Sequence, residues 1–117
     1  MKEPKVRDAL HELAEACGEL ASVCEREVTD FAATWRTVAT NARVVESQPE
    51  PLQANDEIAS LLAAVASLFS HHPGGFAEAY VVRASFDEQL AENAKFDALK
   101  DRVAAAAGAL RKALAEA

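Results

Sequence analysis

Large apolar residues recur at Val6, Leu10, Leu13, Cys17, Leu20 and Cys24, in alternating steps of four and three. That is the period of one helix face, and no two-residue alternation competes with it. Pro4 suits a first helical turn, where its missing N–H costs nothing. Gly18, inside the pattern, weakens a helix by about 1 kcal/mol relative to Ala. The apolar face continues through Val28, Phe31, Trp35 and Val38. Thr29 and Asp30 are good N-caps beside a β-branched neighbour. The pattern therefore predicts one long bent helix or two helices over 4–27 and 30–46. Two are favoured, because a helix of that combined length without internal caps is unusual in a small domain.

Gln48-Pro49-Glu50-Pro51 is a stop, since each proline disfavours helix for the residue before it. Asn55 then reads as an N-cap, with Asp56 and Glu57 in a first turn favoured by the helix dipole. Ile58, Leu61, Leu62, Val65, Leu68 and Phe69 form an apolar stripe, and alanines at 59, 63, 64 and 66 widen it. This helix is expected to be the most buried element. Ser70 to Gly75, including Pro73, ends it. Phe76 to Val82 fits a short helix or an extended piece.

Ser85-Phe86-Asp87-Glu88 matches the capping box, with Ser at the N-cap and Glu three residues on. From there Phe86, Leu90, Phe96, Leu99, Val103, Ala106, Leu110 and Leu114 run on at helical spacing. The run Ala104 to Gly108 has little bulk and lets another helix approach closely, in this chain or in a second copy. The expected architecture is all-α: a compact helical bundle of three to five helices with one irregular loop near residues 70–76. A single helical domain over 1–117 is expected.

Composition narrows the function. Apolar residues make up 50% of the 117, but 27 of them are Ala, leaving enough bulk for one modest core. Lys and Arg number 12 against 19 Asp and Glu, for a net charge of −7. Phosphate backbones and anionic membrane surfaces would mostly repel such a chain. Its basic residues form no block and its aromatics are few, so neither nucleic acid nor membrane is expected as a partner. No run approaches the roughly 18 apolar residues of a membrane span. The N-terminus turns straight into a charged amphipathic pattern, so no signal peptide is expected and a cytoplasmic location follows. On one helix Cys17 and Cys24 lie about 10.5 Å apart along the axis. That is beyond disulfide reach, so both read as small buried residues in a reducing compartment.

Candidate chemistry begins with paired carboxylates. Glu12-x-x-Glu15 is followed by Glu27-x-x-Asp30, and three-residue spacing puts both members of a pair on one helix face. The pattern resembles the motif of the MazG-like all-α nucleotide pyrophosphohydrolases. The resemblance implies magnesium ions held by Glu12, Glu15, Glu27 and Asp30 against a nucleotide's phosphates. Random placement of 19 acids among 117 positions gives about three acidic i, i+3 pairs, so two are no enrichment. A solvated helix face is the plainer reading of these acids.

His71-His72, with His11 elsewhere, lacks the three or four converging ligands of a zinc site. Asp8-x-x-His11 occurs once, where di-iron bundles need two Glu-x-x-His motifs. Neither a nucleophile elbow nor a phosphate-cradling glycine loop is present. Trp35, in phase with Phe31 and Val38, reads as core.

A second resemblance rests on Ser67-Leu68-Phe69-Ser70-His71-His72-Pro73-Gly74-Gly75-Phe76, followed by Glu92-Asn93-Ala94-Lys95-Phe96-Asp97-Ala98-Leu99, and on the earlier Trp35. It is similar to a family of small bacterial helical proteins of uncharacterised activity, with a Gly-rich loop, then Phe, then a final helix. The resemblance implies a compact helical fold in a bacterial cytoplasm and supplies no catalytic residues. A secreted helical hairpin of the Trp-x-Gly type is disfavoured, because Arg36-Thr37 follows Trp35.

The reading that emerges is a small acidic non-catalytic protein, of adaptor or toxin-immunity type, that binds a protein partner of basic character and needs no cofactor. A homodimer is compatible with the alanine face. The expected contact region is His71, His72, Gly74, Gly75 and Phe76, since glycine-rich loops on rigid scaffolds often carry function. The alternative is the magnesium-dependent nucleotide pyrophosphohydrolase.

Overall fold

The computed structural model describes residues 3–27, 29–49, 55–69, 76 and 80–116. Four α-helices account for most of them: α1 (Glu3–Glu27), α2 (Ala32–Glu46), α3 (Asn55–Phe69) and α4 (Phe86–Ala115), with a 3-10 turn at Thr29–Phe31 between the first two. The long amphipathic pattern is thus divided into two helices, as expected. The boundary falls next to Val28, where Thr29 and Asp30 compete with helix for local hydrogen bonds.

Helix α1 is the spine. Its four-three series Val6, Leu10, Leu13, Cys17, Leu20 and Cys24 is fully buried, and Ala9, Ala14, Ala16 and Ala21 broaden the buried face. Helix α2 lies antiparallel along one side, shown by Arg36 on Glu25, Arg43 on Glu15 and His11 on Glu46. Helix α4 lies antiparallel along the other, tied by Lys5–Glu116 near one end and Glu27–Arg83 near the other. Two long neighbours on one 25-residue helix give an elongated body of 49 × 23 × 21 Å.

Helix α3 is not the most buried element. Ile58, Leu61 and Val65 are buried, but Ala59, Ala63 and Ala66 face solvent. Alanine carries no information about which face it lies on, because its single methyl is tolerated equally in core and water. Helix α1 takes the central place because bulky residues line its whole length and both long neighbours need it.

Helix α4 starts at an N-cap Ser85, whose side chain accepts from the Glu88 N–H at 3.5 Å. Its buried face is Phe96, Val103, Ala106, Ala107, Leu110 and Ala113. Phe96, Val103 and Leu110 follow a seven-residue step, which keeps one side toward α1. Carried back one more step, that phase reaches Gln89. Phe86 and Leu90, read from sequence as members of the stripe, lie to the side of that line and are 73% and 55% exposed. Of the run Ala104 to Gly108, Ala106 and Ala107 are buried, whereas Ala104, Ala105 and Gly108 are exposed.

An aromatic cluster closes one end of the core. The buried Phe76 ring stands 5.2 Å from Phe31, 5.0 Å from Trp35, 6.0 Å from Phe69 and 5.8 Å from Phe96. The Lys100 ammonium lies 5.1 Å over Phe76 and 4.6 Å over Phe96. Three of those four partners belong to α2, α3 and α4, so one ring fastens three helices. Trp35 is core, as its phase predicts, although its indole N–H meets no acceptor among the described residues.

Candidate functional site

The four carboxylates of the magnesium motif do not come together. Glu12, Glu15 and Glu27 share the α1 helix, on which Glu12 and Glu27 are about 22 Å apart along the axis. Asp30 sits in the exposed 3-10 turn beyond. Glu12 accepts from Arg102 Nε at 2.5 Å, and Glu15 accepts from Arg43 at 2.9 Å. Glu27 takes a two-pronged contact from Arg83, at 2.6 and 2.7 Å. These hydrogen bonds are the main reason all three carboxyls are held below the ordinary 4.5. Among the described residues no three His, Cys, Asp or Glu side chains gather where they could hold a metal.

The same contacts show what the acids do. Glu12 and Glu19 both receive Arg102 of α4. Glu15 and Glu25 receive Arg43 and Arg36 of α2, and Glu27 receives Arg83 ahead of α4. Arginines scattered in sequence thus converge on the acidic flanks of one helix. The carboxylates are more than a wet exterior. They help set the register of the neighbours on α1, although exposed pairs of this kind add little stability each.

Of the expected contact region, His71, His72, Gly74 and Gly75 lie outside the described residues. Phe76 is 1% exposed and sits at the centre of the ring cluster. In this conformation its ring is occupied by the core.

The cysteines are buried and unbridged, as expected from their spacing. Burial pushes the Cys17 thiol up to about 12 and the Cys24 thiol up to about 11, so neither is a nucleophile near neutral pH. Desolvation also lowers Lys100, although Asp97 and Cys24 oppose the shift.

A groove of about 770 Å³ runs between α2 and α3, with Thr37, Asn41, Val44, Ser60 and Leu61 among its lining. Among the described residues its carboxylates are Asp56 and Glu57, and none of the groups with shifted proton affinity borders it. Concavity and perturbed chemistry, the usual joint mark of an active site, are therefore separated there.

The feature that sequence reasoning missed lies at residues 80–90. Among the described residues, four of the five large exposed hydrophobic side chains are Tyr80, Val82, Phe86 and Leu90, each more than half exposed. Residues 80–83 alternate, with Val81 buried between exposed Tyr80 and Val82, as in an extended strand. No neighbouring strand pairs with them among the described residues. Side chains of α4 take that place. Val81 N–H donates to Asn93 Oδ1 at 2.7 Å, and Asn93 Nδ2 donates back to the Val81 carbonyl at 2.8 Å. Arg83 N–H donates to Gln89 Oε1 at 3.0 Å.

Phe86 and Leu90, one helical turn apart, add a ridge beside this segment. The signal was the seven-residue phase, which puts polar Gln89 in line with Phe96, Val103 and Leu110 and leaves Phe86 and Leu90 off that line. Beside the ridge Asp87 and Glu88 are exposed, and neither forms an ion pair with another described residue.

Among the described residues no helix is long and apolar enough to cross a membrane. No protein-family model, no curated protein and no solved structure matches this chain, so both resemblances rest on their short motifs alone.

Proposed function

We propose that this protein acts by binding a protein partner and performs no catalysis of its own, as an adaptor or a toxin-neutralising protein of the cytoplasm would. The observation that carries this reading is the patch of Tyr80, Val82, Phe86 and Leu90, bordered by Asp87 and Glu88, which form no ion pair with another described residue. Contiguous exposed apolar side chains with a polar rim mark interaction surfaces. An acidic border in a chain of net charge −7 favours a basic partner and speeds the encounter.

Arg36, Arg43, Arg83 and Arg102 are each engaged by carboxylates, which leaves them poorly disposed to hold phosphates. That supports neither nucleic acid nor a nucleotide hydrolase. Incubation with nucleoside triphosphates and magnesium is expected to release no pyrophosphate. Release that disappears in Glu27→Gln would overturn the non-catalytic reading.

Self-association is compatible with the same fold. Exposed Ala104, Ala105 and Gly108 leave one side of α4 thinly covered, and a Cβ at Gly108 would meet nothing within 4 Å. Light scattering distinguishes a 12.5 kDa monomer from a dimer.

The test of partner binding is site-specific photocrosslinking in native lysate, with the crosslinker at Leu90 and, as control, at exposed Thr40. A discrete adduct from position 90 that is absent from position 40 and lost in Phe86→Glu is the expected result, with circular dichroism confirming the fold. The same adducts from both positions, or none from position 90, would refute it.

A further inference from the structure

The extended segment 80–83 has two edges, and α4 satisfies only one. Neighbouring residues of an extended chain turn their backbone N–H and C=O groups to opposite edges. Val81 and Arg83 turn theirs to Asn93 and Gln89. The groups of Tyr80 and Val82 then face outward. There the Val82 carbonyl accepts from the Arg83 guanidinium at 3.0 Å, while the Val82 N–H and both backbone groups of Tyr80 have no partner among the described residues. An open edge of this kind is a template for another strand.

Its surroundings specify what could pair with it. The exposed Tyr80 and Val82 side chains and the Phe86–Leu90 ridge would meet apolar side chains on one face of an incoming strand. Asp87 and Glu88, which follow the segment and form no ion pair with another described residue, are both acidic. They disfavour a second copy of this same edge, which would bring like charges together, and favour lysine or arginine on the incoming segment. The side-chain clamp from Asn93 and Gln89 holds the template in place before anything binds, which lowers the ordering cost of association.

From these observations, and resting on the partner-binding reading above, we infer that the Tyr80–Arg83 edge is a docking site for an extended partner segment that alternates apolar and basic residues and adds as a strand. Backbone hydrogen bonds to the Val82 N–H and to both backbone groups of Tyr80 provide attachment. The apolar ridge and the Asp87–Glu88 pair select the sequence, as in other cases of strand addition.

The experiment uses the full chain, isotopically labelled, with a short synthetic peptide alternating Lys and Val as probe. Saturable shifts of the Tyr80 and Val82 amides are expected, with Val82 amide exchange slowed roughly tenfold or more as it becomes hydrogen-bonded. A peptide alternating Glu and Val should fail. So should the Lys-Val peptide N-methylated at alternate residues, which blocks the pairing edge while retaining the charge. The variant Asp87→Lys with Glu88→Lys should reverse the preference between the Lys and Glu peptides.

Equal binding of the N-methylated peptide, tighter binding of a helical Lys-Leu peptide with Val82 exchange unchanged, or no binding by any peptide would each overturn strand addition. The crosslinking result at Leu90 is independent of these outcomes, so failure of this docking mode is distinguishable from failure of partner binding itself.

Discussion

Replacing Phe76 with alanine tests the account of the core most directly. The side chain is 1% exposed and its ring meets four others at centroid distances of 5.0 to 6.0 Å. Truncating a buried Phe to Ala costs about 3–5 kcal/mol, from lost transfer energy and the cavity left behind. Edge-on ring contacts contribute roughly 0.5–1.5 kcal/mol each beyond their area, so the upper half of that range is expected. At about 0.05–0.15 kcal/mol per residue, a chain of this length has roughly 6–17 kcal/mol in total. The variant should therefore lose about a quarter or more of its stability. At about 4 °C per kcal/mol for this size, Tm falls by roughly 16–20 °C.

Urea unfolding followed by the emission of Trp35, the sole tryptophan, measures this at the ring cluster itself. Phe76→Leu, which keeps much of the volume, should lose distinctly less. A loss below about 1 kcal/mol for Phe76→Ala, with the folded spectrum retained, would refute the anchoring role. It would also return Phe76 to the surface role that its glycine-rich neighbourhood suggests in the sequence.

Three further outcomes follow from the same structure. Asn93→Leu strands the Val81 N–H and carbonyl in a buried setting at a cost of about 1–3 kcal/mol, and should abolish exchange protection of the Val81 amide while sparing α1 amides. Hydrogen exchange read by NMR checks this, and a protected Val81 in the variant would contradict it. Glu12, Glu15 and Glu27 hold their charge to lower pH when folded, so protonating them favours the unfolded chain. Their contribution is complete above 4.5 and fades as pH falls below it. The urea midpoint should drop over that window, and less steeply in Glu27→Gln. With their proton affinities raised to about 12 and about 11, Cys17 and Cys24 should resist a disulfide reagent at pH 8 in the native state and react together once unfolded in guanidinium. Rapid native labelling would show that this part of the core opens.

Periodicity by itself determined the helices. Bulky residues in four-three steps force one face of α1 out of water wherever its neighbours lie. Prolines 49 and 51 and the Ser85 cap act on their own few residues, so the stop after α2 and the start of α4 were legible without any tertiary contact. The burial of Trp35 and of both cysteines followed from the same phase.

What the chain could not reveal locally was which elements meet. Alanine-rich stretches look alike inside and out, so α3 appeared more central than it is, and Phe86 and Leu90 were drawn into a stripe that the fold leaves exposed at its start. Ion pairs such as Arg102 with Glu12 and Arg83 with Glu27 join residues far apart in sequence, and a charge has no partner until folding brings one near. The open edge at Tyr80 and Val82 is tertiary for the same reason. Only the placement of Asn93 and Gln89 beside Val81 and Arg83 satisfies one side of that segment, while the Val82 N–H and both backbone groups of Tyr80 have no partner among the described residues.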